Sequence, residues 1–480
     1  MSDITVNKLN GGKAQIKADD LAALRSALRG EIALPGDDGF DRARTIWNAM
    51  IDRKPAAVIR CQGTSDVMEA VRFASKHGLL VAVRGGGHNI AGKAICDGGI
   101  LIDLSPMRSV HVDRETRTAW VEPGATLADF DRECLAFSLA TPVGINSTTG
   151  IAGLTLGGGF GWITRKYGLT IDNLLAVDIV MANGEMLRAS ETQNADLFWA
   201  LRGGGGNFGI VTGFKFQLHD FAPQILSGLI VHPFDAAPTL IDEYRKFVRN
   251  APKELSVWVV MRQAPPLPFL PKEWHGKLVF IMAACYAGDM AEGEKILAPL
   301  RHIGSPIADV ISPHAFTGWQ AAFDPLLTPG ARNYWKTHDF AALSNETCTK
   351  LLDFAQRLPS PECEIFIASL GGRMGEISND ATAYGGRGAN FVLNVHARWQ
   401  NAADDQRCIG WARDFFKATE PQAMGTAYIN FLTDEEGDRL TSAYGSNFGR
   451  LAAIKAKYDP RNLFRMNQNI RPDTQARAAE

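Results

Sequence analysis

The stretch Arg84-Gly85-Gly86-Gly87-His88-Asn89 follows directly on the apolar run Leu79-Leu80-Val81-Ala82-Val83. A strand that runs into three glycines ends in a loop with almost no side-chain bulk. The backbone of such a loop can approach a large flat or phosphorylated ligand closely. The imidazole of His88 closes the loop and is set against whatever the loop holds. Around it, residues 56–61 read as a strand and 65–77 as a helix. Val67, Ala70, Val71 and Ala74 carry the i, i+3, i+4, i+7 spacing of one buried face. Strands at 100–104, 109–112 and 118–121 follow, then a helix over 126–133 capped by Thr126.

Downstream the glycines crowd together. Gly144, Gly150, Gly153, Gly157, Gly158, Gly159, Gly161 and Gly168 fall within 25 residues. Each costs about 1 kcal/mol relative to alanine in regular structure, so this backbone is exposed for a reason. Amide N–H groups in such a nest satisfy pyrophosphate oxygens without side-chain charge; a purely structural set of turns is the competing reading. Gly204-x-Gly206-x-x-Gly209 formally matches the dinucleotide fingerprint. The context is inverted, with a helical pattern before it at 197–201 and a β pattern after it at 210–218, which excludes a Rossmann unit. Another kind of nucleotide-binding loop and a plain turn both stay open.

After His219-Asp220 the texture changes. Long alternating runs at 256–262, 277–286, 333–339, 363–370 and 390–399 are separated by helical runs at 240–249 and 346–358. Strands of this length predict an antiparallel sheet covered on one face by helices. The chain thus reads as α+β, with residues 1–220 one domain, 221–425 a second, and 426–480 a segment returning to the first.

At 480 residues, 46% hydrophobic and 21% charged, the chain has room for two or three cores. A net charge of −2 gives no field for nucleic acid or acidic lipid. No apolar run approaches the ~20 residues of a membrane span. Cys61, Cys96, Cys134, Cys285, Cys348, Cys363 and Cys408 form no CxxC pair, which argues against zinc or a disulfide framework. With no basic, apolar leader at Met1-Ser2-Asp3-Ile4-Thr5, the expectation is a cytoplasmic protein without a metal.

Together these segments resemble the FAD-linked oxidases of the vanillyl-alcohol-oxidase fold, in their berberine-bridge-enzyme-like branch. The resemblance runs from the 82–89 loop through Gly157-Gly158-Gly159-Phe160-Gly161, Tyr167-Gly168-Leu169-Thr170-Ile171-Asp172-Asn173 and Leu197-Phe198-Trp199-Ala200-Leu201-Arg202. It ends on Tyr444-Gly445-Ser446-Asn447 and Lys457-Tyr458-Asp459-Pro460-Arg461-Asn462-Leu463-Phe464. It implies a two-part FAD-binding domain of the PCMH type and a separate substrate domain. It also implies FAD joined through its 8α-methyl to His88. A lone histidine beside a loop is ordinarily a surface or core residue, and the nine others are read so. Further FAD contacts are implied for Arg84, Gly85, Gly86, Gly87, Asn89, Val143, Gly144, Gly150, Gly153, Gly157, Gly158, Gly161, Ile210, Val211, Asn467 and Asn469. Many relatives add a cysteinyl tether ahead of the GGGxG glycines. Residues 141–150 hold no cysteine, and Asn146 or a close neighbour stands there, so a single histidyl link is implied, of the 6-hydroxy-D-nicotine oxidase type.

For the reaction, alternation along 390–399 puts Val392, Asn394, His396 and Arg398 on one face. The family's glutamate base matches Val392 and is missing, which leaves Asn394 and His396; an imidazole is a suitable base. In Tyr428-Ile429-Asn430-Phe431 the family's catalytic tyrosine is replaced by Phe431, and Tyr428 remains at the flavin edge. Tyr334, Lys336 and His338 share a face of another strand, and Lys336 is a further candidate base beside an ordinary sheet-surface reading. The expected function is oxidation of a small alcohol or amine, a sugar or secondary metabolite included, with dioxygen as electron acceptor. A dehydrogenase with another acceptor and a non-redox cyclase or binding protein are the alternatives. Oligomeric state is not legible.

Overall fold

A computed structural model describes residues 2–473. Met1 and residues 474–480, the outer ends of the expected domains, lie outside the described residues. The fold is α+β. Strand Ala57–Arg60, helix Thr64–His77 and strand Val81–Arg84 form a crossover, and Ile100–Asp103 lies parallel between the two strands. Glu31–Ala33 adds an antiparallel edge. Val67, Ala70, Val71 and Ala74 turn inward, and the helix stops where Gly78 takes φ +63°. A second sheet, all antiparallel, has the order Met186–Ser190, Leu174–Val180, Ile210–Gln217, Thr118–Val121, Val110–Asp113. The helix Leu127–Leu135 beside it opens on a capping box between Thr126 and Asp129.

The large sheet has eight antiparallel strands. Its central members are, in order, Leu278–Tyr286, Leu255–Gln263, Glu364–Ser369 and Phe391–Trp399, with Arg332–Phe340 at the edge beside the last. One face packs under the helices Ala237–Arg249, Met290–Arg301, Asn345–Ala355 and Asp405–Thr419. Leu393, Val395 and Ala397 meet Tyr244, Leu351 and Phe415 in that core. The other face looks back at the glycine-rich region, where Val392, Phe366 and Trp258 share a cluster with Phe160, Trp162 and Tyr428. The sheet therefore roofs the first half of the chain.

The Asp-Pro tail closes the arrangement. Lys455 and Asp459 are fully buried and paired at 2.6 Å. Lys455 Nζ also donates to the carbonyls of Asn207 (2.6 Å) and Phe464 (3.2 Å), while Asp459 accepts from the Leu463 and Phe464 N–H groups. One ion pair thus fixes the loop before Ile210 against the segment that follows Phe464.

Candidate active site

A single cavity is lined from both halves of the chain. The first half supplies Gly85, Gly86, Gly87, His88 and Asn89, then Gly144, Gly150, Gly153, Ile210 and Val211, and the tail adds Phe464, Asn467 and Gln468. The large sheet supplies Trp335, Glu364, Phe366, Asn394 and His396, and the segment 428–431 closes the gap between them.

The loops touch through their glycines. A Cβ on Gly86 would stand 2.4 Å from the Gly150 nitrogen, so only bare backbones pack here. Gly153 and Gly206 have open space where a Cβ would be. These features fit FAD: backbone open to the cavity, and the Oδ1 of Asn467 buried with no partner of its own.

Six residues expected to touch the cofactor do not line the cavity. Arg84 turns inward to a buried ion pair with Asp103 at 2.7 Å and donates to the Thr45 carbonyl. Val143 and Gly161 pack on each other, since a Cβ on Gly161 would lie 1.9 Å from the Val143 oxygen. Gly157 accommodates the Asn430 side chain, and Gly158, at φ +121°, the ring of Tyr384. Asn469 lies beyond Gln468, its Oδ1 buried without a partner.

His88 stacks on Trp47, with centroids 5.2 Å apart and planes at 21°. Its Nε2 is 3.1 Å from Thr148 Oγ1. Burial pushes the imidazole down to about 4, so the ring is neutral near pH 7. The chain around Trp47 bolts the loop to the sheet. The Trp47 N–H donates to the Gly87 carbonyl and its indole to the Leu327 carbonyl, while Asn48 bonds the backbone of both Ile90 and Asn333.

On the sheet, Glu364 and Trp335 flank His396 in register, and Phe366 flanks Asn394. Residues in register share a face, which makes one polar row with an aromatic border. His396 Nδ1 is 3.1 Å from Glu364 Oε1, and its Nε2 is 3.3 Å from Asn333 Oδ1. Burial lowers His396 from its usual value against the pull of Glu364. Burial would raise Glu364, but Arg262, bonded at 2.7 Å, together with His396 and Arg398, holds it down at about 2. Asn394 is buried, with its Oδ1 unpartnered. Val392 is fully buried among apolar groups.

One candidate base is corrected. Lys336 pairs in register with Val395 and so lies on the helix-covered face, away from the cavity. There it is paired with Glu435 at 2.9 Å and Glu436 at 3.3 Å. Tyr334 and His338 share that face; His338 stacks on Phe416 at 4.2 Å. Tyr428 lines the cavity, as its expected place at the flavin edge requires, and burial pushes its phenol up to about 12 although Asn430 donates to it at 2.9 Å. The phenol therefore stays protonated near neutrality. Trp47, Thr148, Trp335, Glu364 and Phe366 went unmarked in the sequence. Only Glu364 carried a local signal, as a carboxylate opening an apolar strand.

The family models place an FAD binding domain over residues 55–190 and a "Berberine and berberine like" segment over 427–471. An FAD-linked oxidoreductase of Dictyostelium discoideum is 30% identical over 432 residues, covering 89% of this chain and 91% of the relative. The chain belongs to the berberine-bridge-enzyme-like FAD-linked oxidoreductases. Another similar member is the (R)-6-hydroxynicotine oxidase of Paenarthrobacter nicotinovorans, 29% identical, with 93% of this chain and 98% of that protein covered. The solved 6-hydroxy-D-nicotine oxidase of Arthrobacter nicotinovorans superposes with a TM-score of 0.84 at 27% identity, over 93% of this chain and 98% of that one. This FAD-linked oxidoreductase is an enzyme. Among the described residues it has no helix long and apolar enough to cross a membrane and no cluster suited to a metal.

Proposed function

We propose that this enzyme carries FAD on a single histidyl link at His88 and oxidises a small alcohol or amine, with His396 taking the substrate's proton. The reading rests on one observation: His88 on the cofactor loop and His396 on the sheet line the same cavity. Bound FAD would supply a two-electron acceptor at N5, reoxidised by dioxygen to give hydrogen peroxide. The residues do the rest. Gly85–Gly87, Gly150, Gly153 and the tail around Asn467 hold the cofactor. Trp335, Phe366 and Phe431 form apolar walls that exclude water. Asn394 offers its free carboxamide oxygen to a substrate N–H or O–H. Glu364 orients His396, whose neutral ring accepts the proton released as the substrate is oxidised. In this reading residues 1–220 and 426–480 serve the cofactor and 221–425 the substrate.

The aromatic border favours a compact substrate with a ring over a long saccharide. That agrees with the likeness to a relative named for 6-hydroxynicotine. The test is a panel of small amines, alcohols and sugars, scored by peroxide release and by bleaching of the flavin under anaerobic conditions. Acid precipitation of the yellow protein reads the link directly. Flavin that leaves wild-type protein in acid ends the covalent reading. A panel that bleaches the flavin without forming peroxide in air ends the oxidase reading.

A further inference from the structure

The imidazole of His88 is held by a hydrogen-bond chain whose direction can be read without ambiguity. Thr148 donates its backbone N–H to Asn146 Oδ1 at 3.1 Å. An amide N–H can only donate, so the acceptor end of the Asn146 carboxamide is the atom facing Thr148. The Thr148 hydroxyl lies 2.6 Å from that same oxygen and must spend its one proton there. Its lone pairs are then what face His88 Nε2 at 3.1 Å. Nε2 therefore carries the ring proton, and Nδ1 keeps the lone pair. On the other side, Trp47 stacks on the ring and prevents it from turning.

We propose that Thr148, braced by Asn146, is a positioning residue for flavin attachment: it fixes His88 in the Nε2–H tautomer and leaves Nδ1 free as the nucleophile. The inference rests on His88 being the tether. In the attachment step the Nδ1 lone pair forms a bond to the 8α carbon, and that carbon gives up one C–H bond. The two electrons and two protons released, one from the carbon and one from Nε2, end on the flavin ring, and dioxygen then removes them as hydrogen peroxide. Thr148 is exposed, so once the new bond makes the ring cationic the Nε2 proton passes to water, and water returns an equivalent proton to the reduced flavin ring.

The test uses the full-length chain prepared without flavin and then supplied with FAD. Acid-stable flavin is followed against time in wild type, Thr148→Val, Thr148→Ser and His88→Ala, and the His88 tautomer is read by nitrogen-15 NMR before FAD is added. Wild type should show Nε2–H. Thr148→Val should attach flavin at least tenfold more slowly and lose the single tautomer, and Thr148→Ser should restore both. Wild-type attachment by Thr148→Val, or an Nδ1–H signal in the unmodified protein, overturns the proposal. Acid-stable flavin in His88→Ala would instead overturn the tether itself, and with it the role of Thr148 in attachment.

Discussion

His396 and Glu364 sit directly opposite each other on adjacent antiparallel strands, joined at 3.1 Å from Nδ1 to Oε1. The Glu364 carboxylate is anchored in turn by Arg262, so the ring cannot choose its orientation. If His396 is the base, His396→Ala lowers kcat by about 10²- to 10⁴-fold. Flavin content stays unchanged, because the side chain belongs to the sheet and not to the cofactor loops. Steady-state rates beside the flavin absorbance of the purified variant check both halves.

The pH profile gives a second handle on the same pair. A base works when neutral, so kcat should rise with pH and level off once His396 has lost its proton. Burial puts that midpoint below the usual histidine value. Glu364 favours the charged ring, and Glu364→Gln removes that support. The acid limb should therefore move to still lower pH while the plateau falls. A limb that stays in place in Glu364→Gln would show that the titrating group is not His396.

The cofactor loop was legible because its cause is local: glycines after a strand, ending in His88. The row of Asn394 and His396 was legible because a strand has a period of two. Alternation groups residues without saying which group looks inward, and that is why Lys336 was misplaced. The same alternation on Arg332–Phe340 sends Trp335 to the cavity and Lys336 under the helix Asp405–Thr419. Trp47 and Thr148 were invisible because their meaning lies in partners distant in sequence. Trp47 bonds the Leu327 carbonyl, 280 residues away, and Thr148 meets a ring 60 residues before it. Arg84, an FAD contact only by the family resemblance, departs for another reason: Asp103 on the neighbouring strand takes its charge.

Close contact between bare backbones makes a steric prediction. In Gly150→Ala the new Cβ would stand 2.4 Å from the Gly86 nitrogen and 2.7 Å from its Cα. Backbone cannot step aside as a side chain can, so the two loops must part. Gly150→Ala should fold yet bind FAD far more weakly, with little acid-stable flavin. Gly153→Ala, where a Cβ meets no protein atom, should leave the melting temperature alone and trouble only the cofactor. Equal flavin loading in Gly150→Ala and wild type would show that the contact is dispensable.

The tail pair is a stability element. Asp459→Ala leaves Lys455 buried without a countercharge and frees the Leu463 and Phe464 N–H groups. Breaking such a pair on one side costs about 3–5 kcal/mol, and thermal melting should show the loss. The segment from Phe464 to Gln468 lines the cavity, so flavin retention should fall along with it. The double variant Lys455→Met with Asp459→Leu carries no stranded charge and should recover part of the lost melting temperature.

Asp131 predicts a pH dependence of stability. It is buried on the helix Leu127–Leu135, where the Gln320 amide donates to it at 3.0 Å, and burial pushes its carboxyl up to about 7. In the unfolded chain the same group ionises near its usual 3.8. Between these values the folded state holds a proton that the unfolded state has released, so stability falls as pH rises from about 4 to 7 and then levels off. Asp131→Asn keeps the bond from Gln320 and cannot ionise. It should match wild type near pH 4 and exceed it at pH 8 by up to about 4 kcal/mol. Denaturant melts at both values decide the matter: a gap of the same size at pH 4 and pH 8 would mean that the carboxyl is ionised in the folded protein throughout.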